Sequence, residues 1–310
     1  MSLLGDLYGD LRWFFATVYL SPDGRLRAGW RALVFVFGYV ALVTLGFVGV
    51  ISVAGEKWLE ADRELALLAN GFIGLAGGCL ASWVFLRAFD RRSFRTLGLW
   101  FYAGWGRELG LGLLAGVGLL TLVVAPLLLA GRIEFTGIKL ELPHALRALV
   151  WTTLLLVPAA ANEEVLFRGY PFQRLVEAWG RVPPVVLLSA LFGLAHLTNP
   201  AHTWIATANT AIVGVFLALL YLKTRGLWLP IGFHFAWNFA MGFGYSLPVS
   251  GIVLGAQPWA VTLGGPVWLT GGNYGPEGSV LTTGVFVVTT VWLAWTSRLK
   301  VSPALAKELE

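Results

Sequence analysis

Charged residues are scarce in this chain. Lys, Arg, Asp and Glu make up 13% of its 310 residues, whereas 57% are hydrophobic. Soluble domains carry about 25% charged residues, and half that fraction does not cover the surface of a globular protein of this length. The composition therefore argues strongly against a soluble enzyme and against a disordered chain. Cysteine is also scarce: Cys79 is the single one, so no disulfide scaffold forms within the chain.

Long runs without charged residues predict membrane-spanning helices, because about 20 helical residues cross a hydrocarbon core about 30 Å thick. Three runs are uninterrupted, a fourth is interrupted by Glu163 and Glu164, and a long fifth run is divided by a turn signal at 198–200. The predicted fold class is therefore all-α, a polytopic membrane helix bundle of about eight transmembrane helices. The predicted spans fall in segments 32–55, 65–86, 109–131, 148–162 with the residues after it, 182–222 (two spans), 226–247 and 279–296.

The basic residues predict the orientation of these spans. With a cytoplasmic N-terminus, 17 of the 22 Lys and Arg residues fall in cytoplasmic segments and 5 on the opposite side, which favours cytoplasmic N- and C-termini in the plasma membrane. Basic clusters such as residues 87–95 then indicate orientation and contact with anionic lipid, and no nucleic acid partner is expected. The first 20 residues lack the basic start and cleavage site of a signal peptide.

The polar residues divide the chain into four predicted segments. Residues 1–31 form a cytoplasmic or interfacial segment, and 32–145 contain three plain spans with their loops. Residues 146–245 form a core of four helices in which polar residues inside spans concentrate, and 246–310 contain an extracytoplasmic loop, the last span and a cytoplasmic tail. Glycines within the spans, such as Gly110, Gly112, Gly116 and Gly118, favour close helix packing rather than phosphate binding.

The first polar group inside a span is Asn162-Glu163-Glu164, followed by Arg168. An ionisable group at the bilayer centre costs about 2.5–3.5 kcal/mol, so these side chains must be compensated or used. Glu164 and Arg168 are four residues apart with the acid first, which suits a helical ion pair of structural or positioning value. Glu163 points about 100° away from Glu164 and has no cation three or four residues away, so it is the candidate general base or acid.

Two further groups place histidines inside apolar helices. Phe192 and His196 are four residues apart and share a helix face, as do His234 and Asn238. Glu163 and His196 are both about 16 residues from a turn near residue 180, so in an antiparallel hairpin they lie at one depth and can meet. We expect the polar end of that hairpin, around residues 174–181, to lie outside the bilayer and the site nearer mid-depth. A helix-to-helix polar contact is the structural alternative for His234 and Asn238.

Together the three groups resemble the motifs of the CPBP family, the CAAX protease and bacteriocin-processing enzymes, also described as type II CAAX prenyl endopeptidases or intramembrane glutamate proteases. Its E-E-x-x-x-R motif is similar to Glu163, Glu164 and Arg168. Its F-x-x-x-H and H-x-x-x-N motifs are similar to the other two groups. The likeness covers about residues 146–245.

The resemblance implies peptide-bond hydrolysis in a polar cavity that faces the cytoplasm. Glu163 would activate a water with help from His196, and His234 and Asn238 would form the oxyanion hole. Glu164 and Arg168, with Phe192 beneath the imidazole, would support the site. The implied substrate is a protein or peptide, lipid-modified or not, within the bilayer.

Three alternatives stay open at this stage. The residues Glu163, His196 and His234 also match a His2Glu zinc ligand set, although no cofactor is expected and H-E-x-x-H is absent. A membrane scaffold or immunity protein could retain the motifs without catalysis, and a transporter or proton relay is the third possibility. His144 and His202, near predicted helix ends, are interpreted as interfacial.

Overall fold

The computed structural model describes residues 18–55, 63–255 and 257–310. Part of the predicted N-terminal segment, residues 1–17, lies outside the described residues. The described residues fold into an all-α bundle with one small antiparallel ladder. Its helices are α1 (Ala28–Ala54), α2 (Arg63–Phe85), α3 (Trp105–Leu129), α4 (Leu142–Arg168), α5 (Tyr170–Trp179), α6 (Val182–Ala195), α7 (Trp204–Thr224), α8 (Trp228–Phe239), α9 (Val267–Thr270), α10 (Val280–Trp295) and α11 (Pro303–Leu309).

Every predicted span coincides with a helix, but the helices differ in length. Among the described residues, five helical segments are long and apolar enough to cross a membrane, and two shorter apolar helices, α6 and α10, accompany them. The eighth, α8, continues into a π-helical turn at Ala240–Gly244. The 14-residue α6 spans about 21 Å, less than the hydrocarbon core. An eight-span arrangement therefore depends on three short helices.

The two acidic residues do not interrupt α4, which is continuous for 27 residues. The helix ends at Gly169, where a Cβ atom would lie 2.2 Å from the carbonyl oxygen of Val165, so only glycine allows this close approach. The chain then resumes as α5. The predicted hairpin around residue 180 is therefore a broken one, formed by α4, α5 and α6.

Two large buried clusters and a smaller third one form the core. One large cluster joins α3, α7, α8 and α10 around Leu120, Leu217 and Phe233. The other lies mainly between α1, α2, α4 and α5, around Phe35, Val165 and neighbouring aromatic side chains, and also contacts α6, α7 and α8. The motif residues lie where α4 faces α8.

Glycines allow α3 and α8 to touch along their backbones. A Cβ atom on Gly112 would lie 2.4 Å from the carbonyl oxygen of Leu229, and one on Gly116 would lie 2.5 Å from that of Phe233. The predicted close packing is present at these two glycines. It is absent at Gly110 and Gly118, where a Cβ atom would meet nothing within 4 Å.

A small antiparallel ladder lies at one end of the helix bundle. A ladder pairs β1 (Ile133–Ile138) with β2 (Trp259–Leu263), in register from Ile133 opposite Leu263 to Ile138 opposite Trp259, with an irregularity after Phe135. We call this end of the bundle the ladder side and the opposite end the basic side.

On the basic side, Arg174, at the polar end that the sequence predicts to lie outside the bilayer, is buried within the protein. It is 3% exposed and forms ion pairs with Asp90 at 3.3 Å and with Glu177. Arg31 of α1 pairs with the same two carboxylates. Arg174 is therefore buried because the turn after α2 brings Asp90 against α5, and this network joins α1, α2 and α5.

Candidate active site

Glu163 and Glu164 lie side by side on α4 but in different environments. The side chain of Glu164 is fully buried, whereas that of Glu163 is 33% exposed and lines a cavity. The difference follows from the helix, which turns consecutive side chains about 100° apart. The two carboxylates therefore have separate surroundings, as their spacing predicts.

The predicted ion pair between Glu164 and Arg168 is present. Arg168 Nη1 donates to Glu164 Oε1 at 3.1 Å, and Nη2 donates to the carbonyl oxygen of Gly214 on α7 at 3.1 Å. The guanidinium also lies over the ring of Phe192, 4.5 Å from its centroid. Since Arg168 is 2% exposed, its charge is compensated entirely by these neighbours.

His234 of α8 contacts the same buried carboxylate. Its Nδ1 lies 2.8 Å from Glu164 Oε1, and its Nε2 lies 3.7 Å from Glu163 Oε2. An ionised carboxylate only accepts hydrogen bonds, so Nδ1 carries a proton and donates to Glu164. The second nitrogen of a neutral imidazole is then an acceptor that faces Glu163.

His196 follows the last residue of α6, and its ring is fixed by Phe192. His196 Nδ1 lies 2.8 Å from the carbonyl oxygen of Phe192, and a carbonyl only accepts, so Nδ1 donates and Nε2 is the acceptor nitrogen. The two rings meet edge to face, with centroids 4.9 Å apart. The ring of Phe192 also lies 6.2 Å from that of His234, so this phenylalanine contacts both histidines and Arg168.

The motif residues converge on one cavity of about 410 Å³. Glu163, Phe192, His196, His234 and Asn238 all line it. Glu164 and Arg168 lie behind this wall: Glu164 contacts His234, and Arg168 contacts Phe192. The structure therefore brings together, in one place, the seven residues that the sequence singles out.

The cavity lies near mid-depth in the bundle. Tyr39 of α1 donates a hydrogen bond to Asn162, the residue before Glu163, at 3.0 Å. Tyr39 is 11 residues from one end of α1 and 15 from the other, which places it about 16 Å and 22 Å from the two ends. The cavity therefore lies near the middle of α1, and its depth in a bilayer stays a prediction.

The cavity extends toward the ladder side of the bundle. In the described part of the chain, its walls beyond the motifs come from the starts of α2, α7 and α10 and from the segment after α8, and of the predicted cytoplasmic segments only 163–181 lines it, through Glu163 and Phe167. On the basic side, Arg168 of α4 donates to the carbonyl oxygen of Gly214 on α7, and its guanidinium lies over the ring of Phe192. The opening of the cavity toward the cytoplasm stays a prediction.

Sequence reasoning missed the contribution of the segment after α8. Ser250, Glu277 and Thr282 line the cavity on the ladder side, together with Asn209 of α7. Glu277 lies in a loop rich in glycine and proline and is the only charged residue between Arg225 and Arg298. This isolation is a signal in the sequence, but only the tertiary contacts show what the carboxylate binds.

A His2Glu zinc site requires Glu163, His196 and His234 to be grouped with free ligand atoms around one point. Among residues 18–55, 63–255 and 257–310, no three His, Cys, Asp or Glu side chains are grouped so that they could hold a metal ion. The Nδ1 atoms of His196 and His234 already have partners. His144 and His202 are both exposed, outside the cavity.

A comparison with known families identifies the segment that carries the motifs. Residues 145–240 match the family model described as Rce1-like, type II CAAX prenyl endopeptidase Rce1-like. The resemblance read from the three motifs is thereby confirmed over this segment, which holds all seven motif residues and ends before Glu277. No curated protein and no solved structure matches the chain. With its long apolar helices, the chain is an integral membrane protein, and its residues 145–240 are similar to the type II CAAX prenyl endopeptidase family.

Proposed function

We propose that this Rce1-like core is an intramembrane endopeptidase that hydrolyses a peptide bond of a membrane-associated or lipid-modified, CaaX-type protein or peptide. The observation that supports it best is the convergence of Glu163, His196, His234 and Asn238 on one cavity. A carboxylate, two imidazoles and an amide supply a base and hydrogen-bond donors. The reaction needs no nucleophilic Ser or Cys, because water is the nucleophile.

Glu163 acts as the general base in this proposal. One third of its side chain is exposed and it lines the cavity, so a water can bond to its carboxylate and lose a proton to it. His196 Nε2, left as an acceptor by the bond from Nδ1 to Phe192, orients the same water or shares its proton. The hydroxide equivalent attacks the carbonyl carbon of the scissile bond.

His234 and Asn238 receive the negative charge of the tetrahedral intermediate. The Asn238 amide donates directly, whereas His234 donates from Nε2 only when its ring is protonated, because Nδ1 is committed to Glu164. The proton that Glu163 takes from water can reach that nitrogen across the present 3.7 Å separation once it shortens, as catalytic contacts do on substrate binding. The proton then returns to the leaving amine.

Glu164 and Arg168 position His234 rather than touch the substrate. Arg168 pairs with the fully buried carboxylate of Glu164, and that carboxylate, as the acceptor for Nδ1, fixes the tautomer of His234.

The test is cleavage of a quenched fluorescent CaaX-type peptide by the purified protein in proteoliposomes, with isoprenylated and unmodified versions of one peptide. Glu163→Gln is expected to lower kcat about 10²- to 10⁴-fold, since it removes the base, and His196→Gln is expected to lower it as well. Glu134→Gln and His202→Gln, both at exposed positions, serve as matched controls. Cleavage by Glu163→Gln at the wild-type rate would contradict the proposal.

The substrate and cofactor parts of the proposal have their own outcomes. A higher kcat/KM for the isoprenylated peptide supports a lipid-modified substrate, and equal values support an unmodified one. Activity that survives a chelator supports the absence of a metal cofactor. Activity that chelation abolishes and zinc restores supports the His2Glu alternative and contradicts a metal-free mechanism.

The orientation and the division into four segments also belong to the proposal. The distribution of basic residues supports the proposal that both termini lie on the cytoplasmic side of the plasma membrane. Protease protection of tags on either terminus in sealed vesicles tests this orientation.

A further inference from the structure

The segment after α8 forms one wall of the candidate active site although it lies beyond the matched residues 145–240. Residues between 249 and 254 and between 277 and 282 line the ladder side of the cavity. Among the residues of this wall, Glu277 brings a carboxylate, and its partners show what holds it.

Three donors hold the carboxylate of Glu277. Oε1 accepts from Trp237 Nε1 at 3.1 Å, and Oε2 accepts from the backbone nitrogen and from the hydroxyl of Ser250, both at 2.7 Å. Hydrogen bonds to an ionised acceptor are roughly twice as strong as those between neutral groups. The carboxylate is therefore a fixed junction between the loop and α8.

The backbone of Glu277 is fixed as well. Asn209 of α7, which is 1% exposed, donates from Nδ2 to the carbonyl oxygens of Glu277 at 2.7 Å and Ser279 at 2.9 Å. Its own Oδ1 accepts from Thr283 at 2.6 Å. The carboxylate thus projects from a loop that α7 and α10 hold in place.

Trp237 connects this junction to the proposed oxyanion donors. It immediately precedes Asn238 and follows His234 by three residues, so it belongs to the helical turn that presents both side chains. Its indole is buried and packs against Phe286 of α10, with ring centroids 5.0 Å apart. A bond to its Nε1 therefore limits rotation of that turn about the axis of α8.

We propose that Glu277 is a positioning residue, which acts through Trp237 to fix the turn of α8 that presents His234 and Asn238. The proposal rests on the proposed function, because positioning matters only if these side chains stabilise an oxyanion. It makes the loop after α8 part of the active site. A merely structural role for Glu277 would affect folding and leave the rate per folded molecule unchanged.

Trp237→Phe is the informative variant, because it keeps an aromatic ring and removes the N–H donor. Trp228→Phe is the matched control: Trp228 lies on the same helix, and its Nε1 donates to the carbonyl oxygen of Trp100 at 2.9 Å, away from the cavity. We expect Trp237→Phe to lower kcat by roughly ten- to hundredfold, less than the removal of an oxyanion donor. We expect KM to change less than twofold and the apparent Tm to match that of the control.

A double-mutant cycle tests whether Glu277 acts through Trp237. In Glu277→Gln, one acceptor oxygen replaces the two carboxylate oxygens that accept from Trp237 and Ser250, so the substitution weakens the junction. Contacting residues on one path are non-additive, so Trp237→Phe combined with Glu277→Gln is expected to lower kcat by less than the product of the two single effects. Glu277→Gln combined with Trp228→Phe is expected to be additive.

Glu163→Gln in the same assay separates the two proposals. If Glu163→Gln abolishes cleavage but Trp237→Phe and Trp228→Phe have equal kcat, or if the Trp237 and Glu277 effects are additive, the positioning role is overturned and the protease function stands. If Glu163→Gln cleaves at the wild-type rate, or wild type cleaves nothing, both proposals fall.

Discussion

The buried ion pair between Glu164 and Arg168 allows a quantitative test of how this site is held. Arg168→Met approximately keeps the length of the side chain but removes its charge. The fully buried carboxylate of Glu164 then has only the hydrogen bond from His234. Removing one partner of a buried ion pair costs about 3–5 kcal/mol in the free energy of unfolding, because the other charge stays buried without compensation. The contact of Arg168 with Phe192 is lost at the same time.

A second substitution distinguishes charge from packing. Glu164→Gln combined with Arg168→Met removes both charges, and replacing a whole buried pair is often neutral or stabilising. We therefore expect the double variant to regain most of the stability that Arg168→Met loses. Its kcat is expected to stay low, because His234 no longer faces an ionised carboxylate.

The assay is thermal unfolding of the purified protein in detergent, read by tryptophan fluorescence. At about 2 °C per kcal/mol for a chain of this size, Arg168→Met should lower the apparent Tm by about 6–10 °C. Arg95→Met is the control: Arg95 pairs with Glu308 at the same 3.1 Å distance, but its side chain is 58% exposed, so about 1 kcal/mol or less is at stake. A double variant as unstable as Arg168→Met would refute the reasoning, since the loss would then come from packing.

Two further predictions concern packing and hydrogen bonding around the site. Gly116→Ala is expected to lower the free energy of unfolding by about 1–3 kcal/mol through overpacking against Phe233, and to lower activity by displacing α8. The new Cβ atom of Gly118→Ala meets nothing within 4 Å, so this variant should be neutral or stabilise the protein by up to about 1 kcal/mol. Equal Tm values for the two variants would contradict the close approach of α3 and α8 at Gly116. Tyr39→Phe is expected to cost about 1 kcal/mol, because it removes the bond to Asn162, and an unchanged Tm in the same assay would count against that bond.

The residues of the motifs could be found from the sequence because polar side chains stand out in apolar helices. Glu163 and His234 are conspicuous because each polar group in a span needs a partner or a use. Four-residue spacing then correctly predicted the pairing of Glu164 with Arg168 and the contact of Phe192 with His196. These are local relations on one helix, which helical periodicity determines.

Relations between distant segments could not be read in the same way. Glu277 is the only charged residue between Arg225 and Arg298, but its partner Trp237 lies 40 residues away in sequence, and helical periodicity does not reveal that contact. The sequence predicts that the polar end around Arg174 lies outside the bilayer, but it does not reveal that Asp90, 84 residues away in sequence, pairs with Arg174 in a buried network. Similarly, one sequence does not reveal that Gly116 faces α8 while Gly118 does not.

The side toward which the cavity extends also depends on tertiary packing. The distribution of Lys and Arg predicts which helix ends face the cytoplasm, but it contains no information on which end of the bundle is filled. Arg168 closes one side because its guanidinium reaches the Gly214 carbonyl on α7. The side toward which the cavity extends therefore depends on this tertiary contact.

The volume of the cavity has a consequence for the supply of the second reactant. A water molecule occupies about 30 Å³ of liquid, so a space of about 410 Å³ has room for on the order of ten of them beside Glu163. The proposed hydrolysis would then draw on a local reservoir and would not wait for water to cross the hydrocarbon. A peptide that enters must displace most of this reservoir and keep one molecule, so the fit of the substrate decides both its own binding and the retention of its nucleophile.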